Sequence, residues 1–246
     1  MEKTMINNIN IWNIKLSINS LSDIMSAIDS FLQSGNKGFH ISPATSYVIN
    51  LAQEDEEQRQ SLLESDIVSV DSFLPYLALK VKGVKNVHKV PGPDIMDAIL
   101  DYSNLHGRSV YFLGAKQSTL DILISLIRQT YPNLVVAGSH NGYFTDDEQD
   151  EVSQIIRATL PDFLLIALPS PKKERFIKRY KRTINAGCLF GVGGAFDAKA
   201  GVLKRPSKWL RHFGMEGIFR MLRRPDLYGK RMLIDIKWFF HAIIHD

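Results

Sequence analysis

The chain has 246 residues, 45% of them hydrophobic and 23% charged, which is enough apolar material for one sizeable core. A single cysteine, Cys188, excludes an internal disulfide, and no apolar run approaches the roughly 20 residues a membrane-spanning helix needs. The net charge of +4 is uneven: residues 202–246 hold ten Lys/Arg against four Asp/Glu, so this tail carries +6 and the remainder −2, which points to an anionic partner for the tail.

The start, MEKTMINNINIW, lacks the basic opening and apolar core of a signal peptide. Residues 10–16 read as a strand. Ser20 and Asp23 have the spacing of a capping box and open a helix to about residue 33. Residues 38–41 read as a short strand, 46–64 as a helix, and 67–70 as an apolar strand running into Asp71. Val90-Pro91-Gly92-Pro93-Asp94 is a rigid turn ahead of a further helix, with Asp94 available as its cap. A strand at 110–113 ends at Gly114, a helix follows at 118–130, and 134–137 reads as another strand. The helix at 146–159 has an acidic first turn, as the helix dipole favours. A fully apolar strand at 163–168, a basic helix at 172–180 and a strand at 188–190 complete the body. Apolar strands separated by helices predict an α/β fold: a mostly parallel sheet with helices on both faces. Ligands of such sheets bind beyond the C-terminal strand ends.

The tail differs. Residues 204–224 mix cations with Trp209, Phe213, Ile218 and Phe219, and Pro225 breaks the pattern. Residues 227–245 then form a helix in projection: Lys230, Arg231, Asp235, Lys237, His241 and His245 share one face, and Met232, Leu233, Ile236, Phe239, Phe240, Ile243 and Ile244 share the other, with Trp238 and Ile234 intruding on the polar side. Such a helix either docks on its own core or lies on a membrane. The expected organisation is a core at 1–201 and a basic amphipathic helical C-terminal appendage at 202–246.

Several constellations sit where chemistry is expected. GVGGAFDAKAGVLKR, residues 191–205, joins a glycine cluster to a carboxylate, Asp197; it is either a tight strand-to-helix turn or a cradle that lets backbone approach a ligand. Asp71 stands at a strand end as a helix N-cap, a ligand-facing carboxylate, or both. Lys172, Lys173 and Arg175 crowd a helix start, where the dipole disfavours cations; they form a solvated basic face or await an anion. Gly114-Ala115-Lys116 lacks the GxGxxG of a dinucleotide site. There is no DxD, HExxH, CxxC or GxSxG, and His241 and His245 read as a surface pair rather than metal ligands. Cys188 lies in an apolar run and reads as an inert buried thiol.

In combination these segments resemble the WecG/TagA/CpsF family of bacterial glycosyltransferases, over about residues 39–233. VYFLGAKQSTLDILISLIRQTYPNLVVAGSHNGYF is similar to the family's strand, glycine, helix and "Gyf" pattern. PDFLLIALPSPKKERFI is similar to its "PD-lLVglG-PkQE-wi", and GVGGAFDAKAGVLKRPSKWLRHFGMEGIFRMLRRP to its "GvGg-fD-laG--kRAP-w----glEWlfRl--eP". The chain departs from the pattern in places. "DG" is Asp71-Ser72, Ala44 replaces the asparagine of "TxN", "GlG" is Ala167-Leu168-Pro169, Lys173 replaces the glutamine of "PkQE", and the arginine of "eP-R" is Leu227.

The resemblance implies a Rossmann-like fold and an inverting, metal-independent transfer of sugar from a UDP-sugar to a polyprenyl-diphosphate-linked saccharide, with no cofactor. Residue by residue, it makes Asp71 the general base, makes Ser42 the nearer match to the threonine of the polar "TxN" segment with Thr45 close enough to substitute, and places Lys173 in the sugar or diphosphate pocket. Gly114, Gly142, Tyr143, Gly191, Gly193, Gly194 and Asp197, with Lys173, fall in the donor site. Gly92, Asp94, Arg220 and Arg231 fall toward the acceptor and diphosphate. It implies a peripheral enzyme on the inner face of the cytoplasmic membrane, in contact with anionic lipid, with no nucleic-acid partner and with a homo-oligomer left open. Two other readings of the same residues are a non-catalytic nucleotide- or polyanion-binding module and a sugar-nucleotide hydrolase using two carboxylates.

Overall fold

A computed structural model of the chain describes residues 6–203 and 225–245. The eight strands are β1 (Asn8–Ile11), β2 (Ile14–Ser17), β3 (Phe39–Ala44), β4 (Ile67–Val70), β5 (Ser109–Gly114), β6 (Val135–His140), β7 (Phe163–Ala167) and β8 (Cys188–Gly191). They form one sheet in the order β1-β2-β4-β3-β8-β7-β5-β6. Among the described residues only the β1–β2 pair is antiparallel; the other pairings are parallel. The expected α/β architecture is therefore present.

The helices are α1 (Leu21–Gln33), α2 (Ser46–Glu54), α3 (Glu56–Leu63), α4 (Phe73–Val81), α5 (Gly92–His106), α6 (Gln117–Thr130), α7 (Gln149–Ala158), α8 (Lys172–Ile184), α9 (Ala195–Lys199) and α10 (Pro225–Ile244). Strand alternation assigns the two faces. Phe163 and Leu165 of β7 join Ile95, Ile99, Leu120 and Phe196 in a core under α1, α5, α6 and α9. Their neighbours Leu164 and Ile166 point the other way, against Phe176, Ile177 and Val152 of α8 and α7. A third cluster, on Val68 and Val70 of β4, is covered by α2, α4 and α10. Burial on both sides is why these strands read as unbroken apolar runs.

Several expected boundaries move: the strand at 134–137 becomes Val135–His140, the helix at 146–159 starts at Gln149, the helix at 172–180 runs to Ile184, and three further elements change in ways that matter to the site or the docking of the tail. The strand at 10–16 is a hairpin, because Trp12 and Asn13 both take positive φ, 52° and 55°, the two-residue turn whose twist suits antiparallel strands. The helix at 46–64 is two helices, since Asp55 (φ −122°) leaves helical geometry and its side chain accepts from Gln58 N–H to cap α3. The strand at 38–41 extends to Ala44, carrying it to the ligand edge of the sheet. By contrast, the Ser20 capping box forms as its spacing predicts, with Ser20 and Asp23 bonded reciprocally.

The tail helix docks on the body. Trp238 and Ala242 are buried, the Trp238 ring meets Trp12 edge-on with centroids 5.0 Å apart, and Trp12 Nε1–H donates to the Ala242 carbonyl at 3.1 Å. Small Ala242 admits that close approach. The core-facing strip of α10 is thus Asp235, Trp238, Phe239, Ala242 and Ile243, which straddles the boundary between the two faces of the sequence projection. Leu233, Ile236, Phe240 and Ile244 are exposed. The apolar residues divide between core and solvent because the tryptophan, the largest anchor, takes the inner position.

Candidate active site

The parallel strands β4, β3, β8, β7 and β5 end along one edge of the sheet, and most of the candidate residues lie on it. Asp71 directly follows β4. Its N–H donates to the Ala44 carbonyl at 3.2 Å, and its Oδ1 accepts from the Gly92 N–H at 3.0 Å. Asp71 does not take the N-cap position of α4, which is occupied by Ser72. The carboxylate instead holds the first residue of α5, so a strand end and a helix start converge on it. A side chain at Gly92 would meet Pro43 Cγ at 3.3 Å and Asp71 Oδ2 at 3.9 Å, so glycine keeps this approach open. Asp94 stands in the first turn of α5, where a carboxylate suits the dipole.

β3 separates the two polar candidates beside Asp71. Thr45 lies just past the strand end and caps α2, its hydroxyl accepting from Val48 N–H at 3.2 Å. Ser42 lies inside the strand, is 2% exposed, and bonds His40 Nε2 at 3.0 Å and Ser65 Oγ at 3.1 Å. The structure therefore brings Thr45, and not Ser42, to the edge beside Asp71. His40 is fully enclosed. Burial, with Lys181 and Lys173 adding repulsion, drops its pKa to about 3 and keeps the ring neutral.

Lys173 is buried at the start of α8. Its Nζ lies 2.7 Å from Glu174 Oε1 and donates to Ser170 Oγ at 2.9 Å, while Ser170 donates to Glu174 Oε1 at 2.8 Å. The conflict of cations with the helix dipole is thus relieved, for this lysine, by its neighbouring glutamate inside the protein. The lysine stem runs over Gly191, where a Cβ would meet Lys173 Cδ at 2.6 Å and Cε at 2.8 Å.

The glycines divide by cause. The chain leaves β5 toward β6 on one side and leaves β7 toward β8 on the other, so the two connections part above adjacent strand ends, the switch point at which such sheets bind ligands. Gly114 (φ +120°) and Gly142 line it so tightly that a Cβ on the first would clash with the Ala167 carbonyl oxygen, and on the second would meet Leu168 Cδ2 at 2.9 Å. Packing therefore requires glycine at 114, 142 and 191, and a φ of +55° favours it at 193. Gly194 has an ordinary φ of −76°, and among the described residues nothing lies within 4 Å of a Cβ there. Tyr143, 72% exposed, projects beside Gly142. Asp197, on α9, accepts from Thr119 Oγ1 at 3.1 Å, which ties the glycine segment to the first turn of α6.

Arg220 lies outside the described residues, and Arg231 falls on α10. Among the described residues no three His, Cys, Asp or Glu side chains gather as metal ligands, and no helix is long and apolar enough to cross a membrane. Sequence reasoning missed Thr119, Glu174 and Asp235. The first could have been found from its place in the opening turn of a helix beside the glycine strand. Glu174 stood next to Lys173 in the quoted motif. Asp235 gave no signal, because its partner is 189 residues away.

A family model described as Glycosyl transferase WecG/TagA/CpsF family matches residues 9–246. Three bacterial relatives bear the name N-acetylglucosaminyldiphosphoundecaprenol N-acetyl-beta-D-mannosaminyltransferase. The one from Bacillus spizizenii strain W23 is 26% identical over 226 residues, 92% of this chain and 87% of the relative. The one from Bacillus subtilis strain 168 is 26% identical over 223 residues, 91% and 86%. The one from Staphylococcus aureus strain MW2 is 30% identical over 149 residues, 61% and 58%.

Proposed function

The chain belongs to the WecG/TagA/CpsF family of glycosyl transferases, and from that premise we propose that it moves a sugar from a UDP-sugar to a polyprenyl-diphosphate-linked saccharide with inversion, Asp71 acting as general base. The observation that carries this reading is the Asp71 carboxylate at the end of β4, oriented by the Gly92 N–H at 3.0 Å on the ligand edge of the sheet. In the step, the acceptor oxygen forms the new bond to the anomeric carbon and its proton passes to Asp71. The bond from that carbon to the diphosphate oxygen breaks, and UDP departs with the electron pair. The open backbone at Gly193 and Gly194, with Asp197 held by Thr119, suits the nucleotide.

Negative charge growing on the leaving diphosphate is met in this reading by Arg220, Arg231 and helix N-termini, the Lys173 ammonium being already paired with Glu174. The metal-free form of the reaction is supported by the absence of a DxD pair from the sequence. The apolar strip Leu233, Ile236, Phe240 and Ile244 on the outer side of α10, together with the +6 charge of residues 202–246, supports peripheral contact with an anionic membrane, where such an acceptor resides.

The test is nucleotide release from a panel of UDP-sugars, with and without polyprenyl-diphosphate-sugar acceptors, run beside Asp71→Asn. The expected result is acceptor-dependent release from one donor, reduced by at least about 100-fold in the variant. Wild-type rates in Asp71→Asn would remove the base. Release without acceptor would make the protein a hydrolase, and UDP binding with no turnover on any pair would make it a binding module.

A further inference from the structure

At the end of β2, the strand that pairs with β4, lies a cavity of about 450 Å³ lined by Asn7, Asn8, Ile18, Asn19, Asp23, Lys85, Asn86 and His88. Its volume is in the range of small-molecule sites. Asn19 is 5% exposed and its Oδ1 has no hydrogen-bond partner among the described residues. Asp23, held below the usual carboxylate range by Ser20, His88 and the Asn19 amide, fixes which way that amide points: the NH₂ faces the carboxylate and the carbonyl is left over. That carbonyl is closed off from the cavity, so the groups a ligand meets are the amides of Asn7, Asn8 and Asn86 with the Asp23 carboxylate, which together suit a ligand that both donates and accepts hydrogen bonds.

Charge narrows the class. An anion would meet Asp23, and a cation would meet Lys85 and His88. One carboxylate, one ammonium and several amides instead suit a neutral molecule rich in hydroxyl or amide groups. The cavity is also wired to the candidate base. His88 N–H donates to the Ile18 carbonyl at 3.2 Å, Val90 N–H to the Val70 carbonyl at 2.8 Å, and Gly92 N–H to Asp71 at 3.0 Å. One eight-residue segment, 85–92, therefore lines the cavity with its first half and orients Asp71 with its last residue.

We infer that this cavity binds a neutral sugar residue, and that in the transfer reaction it holds a sugar of the acceptor other than the one attacked. The second clause rests on the proposed transferase function; the first does not. The experiment is saturation-transfer NMR with the methyl glycosides of N-acetylglucosamine and galactose, on the wild-type chain and on Lys85→Ala/Asn86→Gly. Asn86 has a φ of 55°, so glycine keeps the backbone while removing the side chain, and both positions are exposed. The expected result is binding of at least one glycoside that excess UDP does not displace, unchanged in Asp71→Asn and weakened roughly tenfold in the double variant.

No binding, or binding that the double variant leaves intact, overturns the site. Displacement by inorganic phosphate or by calcium overturns its neutral class. For the acceptor assignment, the double variant should raise KM for a lipid-linked disaccharide acceptor with kcat unchanged; an unchanged KM alongside lost glycoside binding would sink that assignment and leave the sugar site standing. If no donor–acceptor pair reacts at all, the transferase reading fails, while the NMR result still decides the cavity.

Discussion

Asp235, on the tail helix, accepts a hydrogen bond from Ser46 Oγ at 2.7 Å, and Ser46 is the first residue of α2, next to Thr45 and one hydrogen bond from Ser72. The C-terminal helix is therefore fastened to the same helix start that flanks Asp71. Ser46 is 3% exposed, so removing the acceptor strands a buried hydroxyl. Hydrogen bonds to charged groups contribute about 1.5–3 kcal/mol. Asp235→Ala is expected to lower the thermal midpoint by about 3–10 °C for a chain of this size, with Asp235→Asn recovering most of it. Calorimetry on the three proteins checks this; equal midpoints would mean that the contact adds nothing to docking.

Gly191 and Gly194 form an internal control. At 191 an added methyl meets the stem of a lysine pinned at its far end by Glu174 and Ser170, so Gly191→Ala is expected to cost about 1–3 kcal/mol by overpacking. At 194 no described neighbour opposes it and φ is ordinary, so Gly194→Ala is expected to stay within about 0.5 kcal/mol of the parent. If the backbone there receives a nucleotide, Gly194→Ala nevertheless weakens UDP binding. Denaturant melts and UDP titration of the pair separate the cases. A Gly194→Ala protein with parental UDP affinity would take the nucleotide away from this turn.

The outer strip of α10 makes a separate demand. Phe240 is 59% exposed and Leu233 63%, and burying such side chains in an apolar phase is worth about 1.5–3 kcal/mol each. Phe240→Ser is expected to weaken sedimentation with anionic vesicles by about tenfold or more while leaving the fold intact, since the core contact is made by Trp238. Raised salt should weaken the wild-type interaction as well, because the cations of the tail act through screened charge. Unchanged vesicle binding in Phe240→Ser would detach this helix face from the membrane.

The parallel body was legible because Ile67–Val70, Phe163–Ala167 and Cys188–Gly191 are buried on both sides and so carry no alternation to confuse them with exposed strands. Asp71 was legible for the same reason, as the first carboxylate after an apolar strand. What escaped depends on contacts distant in sequence or on backbone angles. The Trp12–Asn13 turn carries no glycine; it is held by Gln53, which bonds the Trp12 carbonyl and the Asn13 amide, and by Trp12 packing on Trp238, more than 200 residues away. The projection of α10 sorted residues by polarity and had no means of knowing that Trp12 would select Trp238 as the inward anchor. The resemblance favours Ser42 over Thr45, and the structure reverses that order, because three residues of register decide which one leaves the strand. The Lys173–Glu174 pairing was hidden by the burial of both groups, where sequence reasoning expected a cation turned toward a ligand.

His40 gives the fold a pH dependence with a defined sign. Its ring is enclosed between Ser42 and Ser65, Asp66 accepts from its backbone N–H, and Lys181 and Lys173 lie near enough to oppose a positive charge. Its folded pKa of about 3 is below the ordinary 6.5, so the unfolded chain binds the extra proton first as pH falls. Stability from this group is complete above pH 6.5 and declines through the window between the two values, at up to about 1.4 kcal/mol per pH unit. Carboxylates such as Asp55, held low by the Gln58 N–H and Arg175, add their own loss only near and below their ordinary 3.8. Between pH 6 and pH 4.5 His40 should therefore dominate, and urea unfolding is expected to show a loss of about 2 kcal/mol across that span. His40→Gln is expected to be less stable than wild type at pH 7, through altered packing, but to lose much less over the same span, so the two curves converge as pH falls. Parallel curves would mean that the ring takes up its proton in the folded protein, and that the enclosure seen around it opens in solution.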